Sequence, residues 1–345
     1  MESSLHIDFH GGLPKGCEIC LRGAKLVLFI TGICHKNCYY CPLSEKKKGR
    51  DVIYANEVLI EKDLEILLEG RAIDAEGTGI TGGDPLLRLR RTLRYIKMLK
   101  EFFGSEHHIH LYTNGIYASS EAIFNLKRAG LDEIRFHIMD KIKGLEIAKE
   151  AGLNVGVEVP AIPGEEERLK KLAICLERMG MDFLNINQLE FAPMNFLQFK
   201  ERGFELEGNN VVKGSEELAL KIIKWAEEEG LELKVHYCSS LKKDQLQYKM
   251  RMMRRRKNII RPYEEALEDG LIGKFLVEVE EPYSIRRKLI KTLKLKPNMI
   301  GVSMYEKGLE IPRSILSEIN KILPKAKVKY VKELPTAIRE RIEES

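Results

Sequence analysis

Three cysteines offer the sharpest chemistry in this sequence. Cys34, Cys38 and Cys41 stand in the run Cys34-His35-Lys36-Asn37-Cys38-Tyr39-Tyr40-Cys41, a C-x3-C-x2-C spacing directly after an apolar extended segment. Thiolates hold iron–sulfur clusters, and a cubane with only three protein ligands leaves one iron open for another molecule. A structural zinc knot normally wants four closely organised ligands, and His35 is poorly spaced to serve as the fourth. The spacing therefore predicts a [4Fe–4S] cluster with one exchangeable position.

A second thiol set flanks the first. Cys17-Glu18-Ile19-Cys20 is a C-x2-C pair, and Cys238 arrives far downstream in His236-Tyr237-Cys238. C-x2-C pairs are frequent metal knuckles, so Cys17, Cys20 and Cys238 are expected to share one metal centre, a second iron–sulfur cluster or a zinc, with His236 as candidate fourth ligand. The alternative is a reduced pair packed near the core and an unrelated buried thiol. Cys175 sits between Ile174 and Leu176 on a helical pattern and reads as a core thiol. His107, His108 and His110 look like a ligand cluster, but strand alternation separates His107 from the other two, and non-catalytic roles are expected.

Polar residues also gather where extended segments end. In Thr81-Gly82-Gly83-Asp84-Pro85 the glycines let backbone approach a ligand closely, and Asp84 offers a carboxylate for an ammonium. Thr113-Asn114-Gly115, His137 and Glu158 follow at later segment ends, and Asn185 and Asn187 alternate onto one face.

Such groups need a sheet to bring them together. Extended segments are expected at Leu26–Thr31, at Thr78–Thr81 with the residues just before, and at Ile109–Thr113, Glu133–Ile138, Asn154–Val159, Phe183–Leu189 and Leu231–Tyr237. Between them lie patterns of helical period at Asn56–Glu69, Arg88–Phe103, Glu121–Ala129, Glu165–Met179 and Ser215–Glu229, several ending at Gly. This alternation predicts a parallel sheet and a complete or partial β/α barrel, with an open doubly wound sheet as the rival. Residues 191–214 form a long connection with Pro193 and Asn195, placed where barrel loops often recognise substrate. From Gly273 the order becomes β-α-β-β-α-β, the ferredoxin-like pattern of a small second domain. The expected division is an N-terminal extension over 1–24, a barrel over 25–262 and the small domain over 272–334.

The cysteine motif resembles the loop of the radical S-adenosylmethionine (SAM) superfamily in spacing, in its place after the first strand and in the aromatic Tyr40 before the last cysteine. The resemblance covers about Lys25 to Cys238. It implies a partial β/α barrel of radical SAM type, in which SAM binds the open iron and is cleaved reductively to a 5′-deoxyadenosyl radical. Residues 82–84 resemble the family's Gly-Gly-Glu element for the SAM amino group, with Asp84 in place of Glu, and Thr113 and Asn114 resemble its threonine-asparagine-glycine element. The resemblance thus implies SAM contacts at Tyr40, Gly82, Gly83, Asp84, Thr113, Asn114, His137, Glu158 and Asn187. It also implies an electron donor such as a ferredoxin. The whole chain is most similar to an archaeal group related to pyruvate formate-lyase activating enzymes.

The bulk properties narrow the setting. The chain has 345 residues, 44% of them hydrophobic, with no apolar run of the roughly 18 to 20 residues that a membrane span requires. With no basic leader over Met1–His10 and seven cysteines, metal chemistry in the cytoplasm is expected rather than disulfides. Charged residues reach 32%, in the Lys/Glu-rich style of heat-adapted proteins, and the net charge is +5. Between Lys242 and Arg261 nine Lys or Arg residues face one acidic residue, Asp244, on a helical pattern with Leu246, Met250 and Met253 as its apolar stripe. That segment makes RNA or another anionic substrate the leading expectation. Activation of a protein by installing a glycyl radical is the alternative, and a nucleic-acid-binding protein with a structural metal is the non-enzyme reading.

Overall fold

A computed structural model describes residues 8–137, 144–240 and 242–342. The chain packs as two compact units, Met1–Arg71 with Ala75–Gln247, and Ala72–Asp74 with Tyr248–Ser345. Among the described residues no helix is long and apolar enough to cross a membrane.

The first unit begins with a short helix, α1 (Lys15–Leu21), and then alternates strand and helix. Its strands are β1 (Lys25–Phe29), β2 (Gly77–Thr81), β3 (His108–Thr113), β4 (Glu133–Phe136), β5 (Asn154–Pro160), β6 (Phe183–Asn187) and β7 (Lys234–Cys238). They lie side by side in chain order and pair parallel throughout. Phe9–His10 adds an antiparallel strand beside β7, and a small hairpin flanks β1. The result is a partial (β/α) barrel. The last residue expected of the fourth strand, Ile138, lies outside the described residues.

One face of every strand is apolar and buried, as with Leu26 and Leu28 on β1, Ile134 and Phe136 on β4, and Leu184 and Ile186 on β6. The alternate positions carry polar groups: Lys25, His108, His110, Tyr112, Glu133, Arg135, Glu158, Asn185 and His236. Helix α1 lies against this polar face. A Cβ on Gly16 would come within 2.7 Å of both Arg135 Nη2 and His110 Nδ1, so only glycine lets the helix approach so closely. At Gly156 a Cβ would fall 2.1 Å from the Phe183 ring.

One expected helix is reduced. Asn56–Glu69 was read as helical, but Tyr54–Ala55 and Val58–Leu59 form a hairpin and the helix spans Asp63–Ala72. Asn56 takes the turn, with a φ of 52° that Asn tolerates better than most residues. Its side chain accepts from Val27 N–H and donates to Glu69.

In the second unit Ile272–Glu278, Pro282–Thr292, Gly301–Val302, Gly308–Ile311, Leu316–Ile322 and Val328–Glu333 follow in the β-α-β-β-α-β order. The four strands are antiparallel, with the first flanked by the third and the fourth, which is the ferredoxin-like arrangement. Val277, Leu289, Leu309, Ile311 and Ile319 form its core. The basic helix Lys249–Ile259 packs with this unit rather than with the barrel to which the 262 boundary assigned it. Arg256 donates to the carbonyl of Leu267, and Arg254 to those of Ile73 and Asp74, which group with the same unit.

His107 faces the opposite side of β3 from His108 and His110. It stacks on Phe103 with ring centroids 4.7 Å apart and shares a 2.8 Å hydrogen bond with Thr78 Oγ1. Burial, with Lys100 adding to it, pushes its pKa down to about 4. Unfolded, the same imidazole titrates near ~6.5, so the stability it contributes is present above that pH and lost as pH falls toward the folded value. Equilibrium urea unfolding should therefore show a loss of roughly 3 kcal/mol from this group across that window. His107→Gln should flatten the acid limb, and a limb as steep as the parent's would overturn the assignment.

Candidate functional site

The cysteine loop leaves β1 and is pinched shut at its base. Gly32 N–H donates to Arg50 O at 2.7 Å and Gly49 N–H returns to Gly32 O at 2.9 Å. A Cβ on Gly32 would lie 1.6 Å from Lys47 O, so no other residue fits. The loop is thereby presented at the carboxyl ends of the strands, where barrels build their sites. Cys34, Cys38 and Cys41 are all partly exposed on it. Lys36 N–H and the Asn114 amide point at Cys34 Sγ, at 3.4 and 3.6 Å.

The Gly82-Gly83-Asp84 element holds this loop from the side. Gly83 N–H donates to Thr31 O and Asp84 N–H to Ile33 O, while a Cβ at Gly82 or Gly83 would meet those carbonyl oxygens at 2.5 and 2.3 Å. Asp84 corrects the sequence reading. Its carboxylate, expected to meet an ammonium, is 0% exposed and accepts hydrogen bonds from Leu86 N–H, Thr113 Oγ1 and Asn114 N–H. Burial raises its pKa while these donors work the other way. Asp84 therefore acts here as a positioning residue that ties three strand ends together.

The remaining predicted positions form a chain across the strand ends. Tyr40 OH meets His137 Nε2 at 2.8 Å, and His137 Nδ1 meets Glu158 O at 2.8 Å. Glu158 accepts from Asn187 at 2.9 Å through one oxygen, and from Arg135 and Asn185 at 2.9 and 3.0 Å through the other. Above the cysteines the long connection folds into a helix, Phe196–Glu201, and a hairpin. Tyr39 packs between Phe199 and Phe204, Arg202 lies 4.2 Å over its ring, and Asn195 donates to Tyr40 O at 3.3 Å.

Below this chain lies a cavity of about 190 Å³ whose walls include Cys17, Cys20, Cys238, His236, Arg135 and Lys25. The two cysteines of α1 and the end of β7 thus line one cavity. Arg135 and Asn185 donate to Cys17 Sγ at 3.4 and 3.3 Å. Burial raises the Cys17 thiol and pushes Cys238 up to about 12, and burial with Arg135 lowers His236 to about 4. A bound metal would reverse the thiol preference by taking the thiolate outright. Cys175 lies on its helix with Met179 at 3.9 Å, away from these groups.

Sequence reasoning missed the charged centre of the lumen. Arg135 Nε donates to Glu133 at 2.6 Å, and the ligand atoms of Glu133, His108 and His110 converge within 4.8 Å. Burial alone would raise Glu133, but Arg135 and His108 hold its carboxyl below the ordinary range. The signal was present in the alternation Glu133-Ile134-Arg135-Phe136-His137, polar on one face and apolar on the other.

Residues 28–140 match the radical SAM superfamily. A protein of Methanocaldococcus jannaschii, provisionally named a glycyl-radical enzyme activating enzyme, is 40% identical over 94% of this chain and 92% of its own length. A GTP 3′,8-cyclase of Synechococcus is 28% identical over 51% of this chain and 45% of its own. Among solved structures, SuiB of Streptococcus suis bound to S-adenosylmethionine is similar at 13% identity and a TM-score of 0.45, covering 63% of this chain and 50% of that one. Coproporphyrinogen III oxidase of Escherichia coli is similar at 14% identity and a TM-score of 0.38, over 65% and 58%. The chain thus spans about half the length of these solved structures. With the cysteine loop, the strand-end network and a relative similar along nearly its whole length, the chain belongs to the radical SAM superfamily and is a radical SAM enzyme that uses a [4Fe–4S] cluster and SAM.

Proposed function

We propose that the chain activates a protein by abstracting a hydrogen atom from it, leaving a glycyl radical. The observation that carries this reading is the 40% identity to the archaeal protein named for that activity, which runs through both units of the chain. The RNA reading rested on the basic helix, and there Arg254 and Arg256 are engaged by backbone carbonyls while Arg255 is buried.

The bound cluster and SAM would supply the 5′-deoxyadenosyl radical that takes the hydrogen atom. Cys34, Cys38 and Cys41 would hold the cluster. Asp84 fixes Thr113 and Asn114, and through Asn114 the amide aimed at Cys34. Tyr40 and His137 brace the loop against β4 and β5, and the Tyr39, Phe199 and Phe204 rings keep water from its outer side. A one-electron donor such as a ferredoxin and a reducing, cytoplasmic setting complete the reading; the unpaired thiols suit the latter. The thiols of Cys17, Cys20 and Cys238 would hold a second metal, iron–sulfur or zinc.

Anaerobically reconstituted protein given dithionite and SAM should release 5′-deoxyadenosine, and replacing Cys34, Cys38 and Cys41 together by Ala should abolish it. To identify the substrate, the enzyme is incubated with an anaerobic lysate of cells grown on α-deuterated glycine. Deuterium in the 5′-deoxyadenosine is expected. Label arriving instead from ribose-deuterated RNA would overturn the proposal.

Removing the Asp84 carboxylate leaves Leu86 N–H, Asn114 N–H and Thr113 Oγ1 without their acceptor. Asp84→Ala should lose about 1–3 kcal/mol in urea unfolding and most of its SAM cleavage. Asp84→Asn keeps the shape but turns an amide N–H toward Asn114 N–H, and should fall between. Parental stability and turnover in both variants would show that the carboxylate positions nothing.

A further inference from the structure

We propose that the lumen cavity is the seat of a second [4Fe–4S] cluster, held by Cys17, Cys20 and Cys238 with His236 as fourth ligand. The inference rests on the reading that these thiols bind metal, and adds which centre they bind and how it is ligated.

Four observations converge. Cys17 and Cys20 stand three residues apart on one face of α1, and His236 and Cys238 two apart on one face of β7, so each pair turns its side chains the same way. All four line the same cavity. His236 is 4% exposed and its Nδ1 has no hydrogen-bond partner, a cost that a ligand in the cavity would remove. Positive groups surround the thiols: Arg135 at Cys17, Lys25 at Cys20 and Lys243 at Cys238. A centre bearing three thiolates is anionic overall, and buried cations offset that charge.

Size decides between the two metals. Four ligands at 2.3 Å or less around one tetrahedral zinc stand only ~3.8 Å from one another. Among the described residues, the one set of three such ligand atoms that converges within 4.8 Å is His108, His110 and Glu133. Neither the Cys17, Cys20 and Cys238 set nor the Cys34, Cys38 and Cys41 set that would serve a cubane converges to that distance. The lumen cavity of about 190 Å³ gives the volume that a multinuclear cluster needs and a lone ion does not.

The test uses the full chain with Cys34, Cys38 and Cys41 replaced by Ala, reconstituted anaerobically with iron and sulfide and then desalted. About four iron and four sulfide per chain are expected, with the Mössbauer signature of a cubane. Adding Cys17→Ser, Cys20→Ser and Cys238→Ser should remove both, with circular dichroism reporting whether the chain still folds. His236→Ala in the same background should retain iron and alter the electron paramagnetic resonance spectrum of the reduced cluster, as expected when a nitrogen ligand is lost. Zinc without sulfide would overturn the cluster while keeping a metal site. No metal in the first variant, or iron that persists in the folded six-cysteine variant, would overturn the site itself. Release of 5′-deoxyadenosine by the parent chain reads the other centre, so failure there is scored apart from failure here.

Discussion

A guanidinium sealed inside a sheet must be met by anions, and the first unit is arranged around that requirement. Arg135 is 2% exposed, and Glu133 and Glu158 answer its charge from β4 and β5. Loss of either carboxylate would leave the buried cation only half answered, at a cost of several kcal/mol. The register of β4 against β5 is thereby pinned, because a one-residue slip would turn the ion network into the apolar layer beneath the helices. Helix α1 obeys the same constraint, with Gly16 giving it room beside the guanidinium and Cys17 receiving one of its N–H groups.

From this centre the order passes outward to the cysteine loop. Glu158 takes hydrogen bonds from both Arg135 and Asn187, its backbone carbonyl meets His137, and His137 meets Tyr40 beside Cys41. A second hold comes from the Asp84 carboxylate, which is saturated by donors from its own turn and from the end of β3. The loop is thus fixed at its base by Gly32 and braced from two sides, while its thiols stay partly open.

Much of this was legible in the sequence. The cysteine spacing, the strand–helix alternation and the ferredoxin-like order were local patterns, and local patterns survive folding. The lumen was less legible because it is made of parity: Glu133 and Arg135 read as ordinary strand polarity until β5 and β6 bring Glu158 and Asn185 beside them. Asp84 was misread for a related reason, since a carboxylate after two glycines suits a ligand as well as it suits the backbone donors that claim it. Helix α1 was passed over as an extension because seven residues with one glycine carry little periodicity. The hairpin at Asn56 hid within an apolar pattern that a helix would also satisfy.

The pairing of Phe9–His10 with β7 has a consequence for how the chain is made. His10 hydrogen-bonds the carbonyl of Leu231 at 2.6 Å across 221 residues, and Phe9 aligns with His236. This segment, made before the barrel strands, must therefore wait until β7 has been synthesised before it finds its place. Contacts of such long sequence separation form slowly, and until they form the polar lumen and its thiols lie open. For a chain rich in oxidisable sulfur, the interval between the emergence of Cys17 and the arrival of Cys238 is a period of exposure that anaerobic conditions or a reducing cell interior would make harmless.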